Sequence, residues 1–338
     1  MNMHEQISRF CAQIGANPLL VQGAGGNVSW KDSEVLWIKA SGTWLKEALE
    51  RDIFVPVDLI DLGVALKNER FDATPKVIAG AVLRPSIETV LHALLPQRVV
   101  VHVHAIDALA WLVRTDPWPA LQSRLSPRWK PCFVPYRKPG AELARVIAEA
   151  VSSNPTTQLV CMANHGVVIA ADTLDEVQLI LEDTITALRV MPLPLQKLQP
   201  ASPIRVDEHH FLHAVPLEAV QGQDLSAQGL SRMADAWALY PDHVVFLGAE
   251  PICHSSSDEA RQFVLENPTY SAGRPHFIRD QGVFSLRPLS VGQLAQLRCY
   301  VDVMQRQHST QALQVLSREN VQELLDWDAE KYRRQLDE

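Results

Sequence analysis

The chain has 338 residues, 47% hydrophobic and 21% charged, with a formal net charge of −8. Such a length allows two domains, and the composition excludes a disordered chain. The acidic balance, without any basic block, argues against nucleic acid as a partner. The most apolar stretch, residues 90–113, is broken by Pro96, Gln97, Arg98, two histidines and Asp107, so it is not expected to span a membrane. Five widely spaced cysteines (Cys11, Cys132, Cys161, Cys253, Cys299) form no CxxC pair and read as reduced thiols of a cytoplasmic protein. The start, MNMHEQISRF, shows neither the basic nor the apolar region of a signal peptide.

In chain order, residues 4–14 read as a helix with Ile7, Phe10, Cys11 and Ile14 on one face. A glycine-rich loop, QGAGGN, follows. VSW and VLWIKA, separated by KDSE, predict a β-hairpin. Residues 43–70 read as a helix-rich stretch, and Ser86 as the N-cap of a short helix that carries Glu88 in its first turn and stops at Pro96. RVVVHVHA predicts a strand, IDALAWLV a helix and CFVPY a short strand. A helix over 140–153, one strand over QLVCMANHGVVIAA and a long amphipathic helix over DTLDEVQLILEDTITALRVM complete the first half. This half is an α/β arrangement. A Pro-rich segment, 191–203, is the candidate linker between domains at 1–195 and 204–338. Within the second, residues 280–304 echo residues 164–188: a polar pair, Gly, a strand, a turn and a long helix. Gln281 stands where His165 stands, and no second HxH occurs, so the second domain reads as a degenerate repeat without metal ligands.

The strongest chemical signal is VVVHVHA. Side chains alternate along a strand, so His102 and His104 point the same way. Two imidazoles in a Val-rich buried run need a partner, and a shared metal ion supplies one; the alternative is a pair of satisfied polar residues on a half-exposed strand. His165, at a strand–Gly junction, is a third candidate ligand. Three histidines from two strands suit Zn²⁺ or another divalent transition metal, with one position open for substrate or a carboxylate. Glu88 is either that carboxylate, a general base once substrate displaces it, or only a helix-start acid. His92, four residues on, reads as a packing or supporting residue.

The glycine loop fails both nucleotide fingerprints. Val28 occupies the third position of G-x-G-x-x-G, and no Gly-Lys-Ser/Thr follows. What remains is a turn whose bare amides can approach an anion, with Asn27 as a further donor. KASG adds Ser41 and Gly42, and Ser86 with its neighbouring amides adds more. His209, His210 and His213, beside Asp207 and Glu208, read as a solvated helix face rather than a second metal site.

GAGGNVS, KASG, PSIE, HVHA and NHG occur in the order and spacing of the class II aldolase/adducin family, which the first ~200 residues resemble. The second half, ending WDAEKYRRQL, is similar to the aldolase part of bifunctional rhamnulose-1-phosphate aldolase/dehydrogenases; with no Rossmann fingerprint present, dehydrogenase activity is not implied. The resemblance implies a three-layer α/β/α domain around a mixed, largely antiparallel sheet, plus a smaller α/β C-terminal domain. It implies zinc held by His102, His104 and His165, Glu88 as acid/base, and a phosphate pocket of Gly26, Asn27, Ser41, Gly42 and Ser86. The implied activity is a metal-dependent aldolase that reversibly cleaves a ketose phosphate or related sugar-acid derivative through a metal-stabilised enediolate. An epimerase, dehydratase or decarboxylase would use the same site, and a non-catalytic adducin-like module would lack the histidines. A homo-oligomer, commonly a tetramer, completes the site in the family. This chain departs from the pattern at Ile87, where fuculose aldolase-like members have a second serine, and Tyr136 is the one candidate for a proton-donating aromatic residue.

Overall fold

Alternation along two strands organises the first half of the molecule. The computed structural model describes residues 2–78, 80, 82–194, 197–308 and 311–337. They belong to two compact units, residues 1–190 and 191–338. Residue 195, where the sequence places the end of the first domain, lies outside the described residues. The described part of 191–203 has neither helix nor strand.

The first unit runs α1 (Met3–Gly15), β1 (Asn27–Asp32), β2 (Val35–Lys39), β3 (Phe54–Asp58), α2 (Leu59–Lys67), α3 (Thr89–Leu94), β4 (Val99–Val103), α4 (Ile106–Leu112), α5 (Trp118–Arg124), β5 (Cys132–Val134), α6 (Ala141–Ser153), β6 (Leu159–Met162), β7 (Gly166–Ala171) and α7 (Leu174–Leu188). The sheet order is β3-β2-β1-β4-β7-β6-β5. Its pairs are antiparallel except β5–β6.

β4 lies at the centre and is buried on both faces, which explains its nearly unbroken apolar run. Val99, Val101 and Val103 enter a core with Ile7 and Phe10 of α1, Leu112 of α4 and Ile180 of α7. Val100 enters the opposite core, with Leu91 of α3 and Ile147 of α6. Each fully buried Val contributes about 1.5–3 kcal/mol of hydrophobic stabilisation. Two apolar faces, each covered by helices, make the three-layer α/β/α architecture. Parity then places His102 on the α3 face.

Three elements differ from the sequence reading. Residues 43–70 contain a strand, β3, as well as helix. Pro56 disguises it; β3 forms the edge of the sheet, where a missing N–H is tolerated. Residues 158–171 are a hairpin rather than one strand. Asn164 adopts a left-handed conformation (φ 53°) and reverses the chain before Gly166. Glu88 occupies the N-cap position of α3 rather than its first turn; the Ser86 hydroxyl accepts from the Glu88 amide at 3.2 Å and shapes the entry.

The second unit contains β8 (Ile204–Arg205), β9 (Phe211–Ala214), α8 (Leu217–Val220), α9 (Ala227–Asp235), α10 (Pro241–Leu247), β10 (Ile252–His254), α11 (Ser257–Glu266), α12 (Pro268–Ser271), β11 (His276–Ile278), β12 (Gly282–Ser285), α13 (Val291–Met304), α14 (Arg318–Asp326) and α15 (Asp328–Gln335). Its sheet order, β8-β9-β12-β11-β10, has the pairing pattern of β1-β4-β7-β6-β5. In both, the terminal pair is parallel and the next is a tight hairpin. Asp280 (φ 58°) turns the β11–β12 hairpin as Asn164 turns β6–β7. The residue opposite the second position after the hairpin glycine is His102 in one sheet and Ala214 in the other. Arg333 anchors α15 in this unit by bonding Asp242 at 2.9 Å and Glu330 at 2.9 Å, both buried.

His209, His210 and His213 do not share a helix. His213 lies in β9, and His210 pairs with Asp207 at 2.8 Å in the preceding bend. All three are exposed, because β9 and its approach face water. The five cysteines are free thiols, buried or half-buried. Among the described residues no helix is long and apolar enough to cross a membrane.

Candidate functional site

β4, the β6–β7 turn and the entry to α3 meet on one face of the first sheet. His102 ends the central strand, His104 lies just beyond it, and His165 occupies the hairpin turn. Their ligand-capable atoms lie within 4.8 Å of one another, and all three residues are buried. The His102 Nδ1–H donates to the Val167 carbonyl at 3.0 Å, which leaves Nε2 as the free lone pair. That Nε2 lies 3.0 Å from His104 Nε2. Two ring nitrogens turned toward each other in a buried site call for a cation or proton between them.

Glu88 completes the group. Its Oε1 lies 3.5 Å from His165 Nε2 and its Oε2 3.6 Å from His102 Nε2. Burial alone pushes its carboxyl up. His102, His165, the Asn27 hydrogen bond and His104 outweigh that push and hold the pKa well below the usual carboxylate range. Oε1 is buried and accepts no hydrogen bond. Three imidazoles and an under-satisfied carboxylate, all buried, fit a divalent transition metal.

Gly166 is built into this centre. A Cβ there would lie 2.5 Å from the Val103 carbonyl oxygen and 3.2 Å from both His102 Cε1 and His104 Cδ2. Gly166→Ala is therefore expected to push two candidate ligands apart and weaken metal affinity by at least the ~10–100-fold typical of a disturbed ligand support. Titration against a chromophoric chelator checks this; unchanged affinity would show that the rings accommodate the methyl group.

The glycine loop, KASG and PSIE segments come together beside the histidines. A Cβ at Gly26 (φ 63°) would lie 2.9 Å from the His102 carbonyl oxygen, so the loop packs directly on the centre. Ser41 N–H donates to the Arg84 carbonyl at 2.9 Å and Ser86 N–H to the Lys39 carbonyl at 3.2 Å. Ser41 and Gly42 thereby lie alongside Ser86. Asn27 Nδ2 donates to Glu88 Oε2 at 2.7 Å and to Ser86 Oγ at 3.3 Å. Ile87 is half-buried between them.

Two residues of this neighbourhood escaped the sequence reading. Lys39 is only 2% exposed and its Nζ donates to the Ala24 carbonyl of the glycine loop at 2.8 Å. A charge in KASG, next to a glycine-rich turn, was the available signal. Gln22 Nε2 donates to the His104 carbonyl at 3.3 Å and steadies that ligand's backbone; nothing in its spacing marked it. Tyr136 follows β5 and is half-buried.

The sheet, covered on both faces, carries at its centre a buried group of three histidines and a carboxylate that could hold a metal ion. The chain belongs to the family of class II aldolase and adducin N-terminal domains, whose model matches residues 5–191. It is 32% identical over 176 residues to the uncharacterized oxidoreductase YuxG of Bacillus subtilis (strain 168), a match covering 47% of this chain and 25% of that protein. The chain thus spans about a quarter of the length of that curated relative. The N-terminal class II aldolase domain of a conserved Thermoplasma acidophilum protein is similar at 25% identity and a TM-score of 0.47, over 55% of this chain and 92% of that one. An L-fuculose 1-phosphate aldolase structure matches at 19% identity and a TM-score of 0.39, over 55% and 86%.

Proposed function

We propose that this chain is a metal-dependent aldolase that reversibly cleaves a ketose phosphate or a related sugar-acid derivative. The observation that carries the reading is the convergence of His102, His104, His165 and Glu88 beside a turn cluster able to receive an anion. His102, His104 and His165 would hold Zn²⁺ or a similar divalent ion. That ion would polarise the substrate carbonyl and stabilise charge developing as the carbon–carbon bond breaks.

The chain's own groups do the rest. Glu88, kept ionised, moves the proton at the carbon that carries the developing charge. Gly26, Asn27, Ser41, Gly42 and Ser86 receive the substrate's anionic group. The presence of all three histidines with Glu88 favours this reading over a non-catalytic adducin-like module.

Product analysis by NMR tests the proposal. Zinc-loaded protein is incubated with a panel of ketose phosphates and sugar acids. An aldehyde and a shorter ketone fragment are expected, and only with metal present. Epimerised, dehydrated or decarboxylated products without carbon–carbon cleavage would overturn the assignment in favour of another reaction at the same site.

A further inference from the structure

We propose that His92 is a positioning residue that locks the Asn27 amide in the one orientation that aims its N–H at Glu88. The proposal rests on the function proposed above for Glu88 but is argued from a network outside the metal group.

One face of β1 carries Asn27, Ser29 and Lys31 at alternate positions, and all three engage α3 or its flanks. Ser29 Oγ lies 2.7 Å from His92 Nδ1. His92 Nε2 meets Asn27 Oδ1, and Asn27 Nδ2 donates to Glu88 Oε2 at 2.7 Å. Lys31 Nζ donates to the carbonyls of His92 at 3.3 Å, Leu95 at 2.5 Å and Gln97 at 2.6 Å, closing the C-terminal end of α3. Ser29 and His92 are fully buried. Val28 and Trp30, on the other face of β1, fill the core.

Polar complementarity leaves this chain one consistent arrangement. Burial lowers the His92 pKa to about 3, so the ring is neutral and has one donor and one acceptor. An amide has its donor and acceptor at opposite corners. If Asn27 turned over, its Oδ1 would face the Glu88 carboxylate, two acceptors in a buried site. With Nδ2 toward Glu88, Oδ1 faces His92, and Nε2 must carry the proton. Nδ1 then accepts from the Ser29 hydroxyl. The Nε2–H tautomer and the Asn27 orientation therefore enforce each other, and rigid β1 transmits both to Glu88. A leucine at 92 fills the space but supplies no donor, so Asn27 Oδ1 loses its partner and the amide keeps only its bonds to Glu88 and Ser86.

Two measurements decide it. Long-range ¹H–¹⁵N NMR of metal-free and zinc-loaded protein is expected to show His92, identified by its loss in His92→Gln, as the neutral Nε2–H tautomer from pH 5 to 8. The Nδ1–H tautomer or a cation would overturn the proposal. In kinetics, His92→Leu is expected to lower kcat by about 10–100-fold, as loss of a supporting hydrogen bond does at comparable sites, with KM within about 2-fold and metal content unchanged. His92→Gln, whose amide can still donate to Asn27, is expected to recover most of that loss. A kcat within 3-fold of wild type in His92→Leu, or equal losses in the Leu and Gln variants, would overturn it. Should wild-type protein cleave none of the substrates, the aldolase reading fails, and the tautomer measurement still decides the role of His92. Should His92→Leu not fold, the Gln variant and the tautomer decide.

Discussion

Replacing His102 with alanine is expected to abolish bound divalent metal and carbon–carbon cleavage together. His102, a proposed ligand, has a constrained geometry. Its backbone is held in the central strand between β1 and β7, and its Nδ1–H is fixed on the Val167 carbonyl. It also lies between the other members, 3.0 Å from His104 Nε2 and 3.6 Å from Glu88 Oε2. Removing a supporting hydrogen bond to a ligand costs about 10–100-fold in affinity or activity, and removing the ligand itself exceeds that. The fold should survive, because Val99, Val101 and Val103 keep β4 buried on the opposite face. Metal analysis, circular dichroism and the cleavage assay check the three parts. Full activity in metal-free His102→Ala protein would sink the proposed mechanism.

Glu88→Gln separates proton transfer from metal binding. The substitution keeps size, and the new side chain can still accept from Asn27. It removes the charge and the base. Loss of a positioned acid–base group costs about 10²–10⁴-fold, so kcat is expected to fall by that amount while the three histidines retain metal. A kcat within 3-fold of wild type would remove Glu88 from the chemistry. The same variant carries a pH signature in metal-free protein. The Glu88 pKa is lowered on folding, so the native state releases its proton more readily than the unfolded chain. Its stabilising effect is present above the usual carboxylate value, about 4.5, and is lost as pH falls toward the folded value. Urea titrations below pH 5 should therefore show a flatter acid dependence for Glu88→Gln than for wild type.

The parts that were legible before the structure depend on short-range rules. Alternation in RVVVHVHA orients His102 and His104, and the first hairpin turns over just Ser33 and Glu34. The long helices follow from their apolar periodicity and side-chain caps such as Thr173. Failures occurred where a local signal was ambiguous. Pro56 hid β3, which pairs with β2 along its length and bridges Val77 on its other side. QLVCMANHGVVIAA reads as one strand with His165 at a strand–Gly junction, although a left-handed Asn164 needs only three residues to reverse the chain. His209 and His213 have helical spacing, but the pairing of β9 with β8 and β12 puts His213 in a strand and leaves His209 in the bend before it.

Local sequence rules were sufficient for the shared direction of His102 and His104 along their strand and for the exclusion of nucleotide loops, and the order of five motifs for the class II aldolase/adducin resemblance. The resemblance also marks Ile87, beside Ser86, as the position where this chain departs from the family pattern. Only the tertiary structure decided what Lys39, Gln22, Lys31 and His92 do. Their partners lie 15 to 82 positions away along the chain or on the facing element. Hydrogen-bond satisfaction in a buried layer is a property of which surfaces meet, and no periodicity within one segment encodes it. A strand declares its own faces through the alternation of its side chains, while the helix that covers a face is chosen by the packing of the whole sheet.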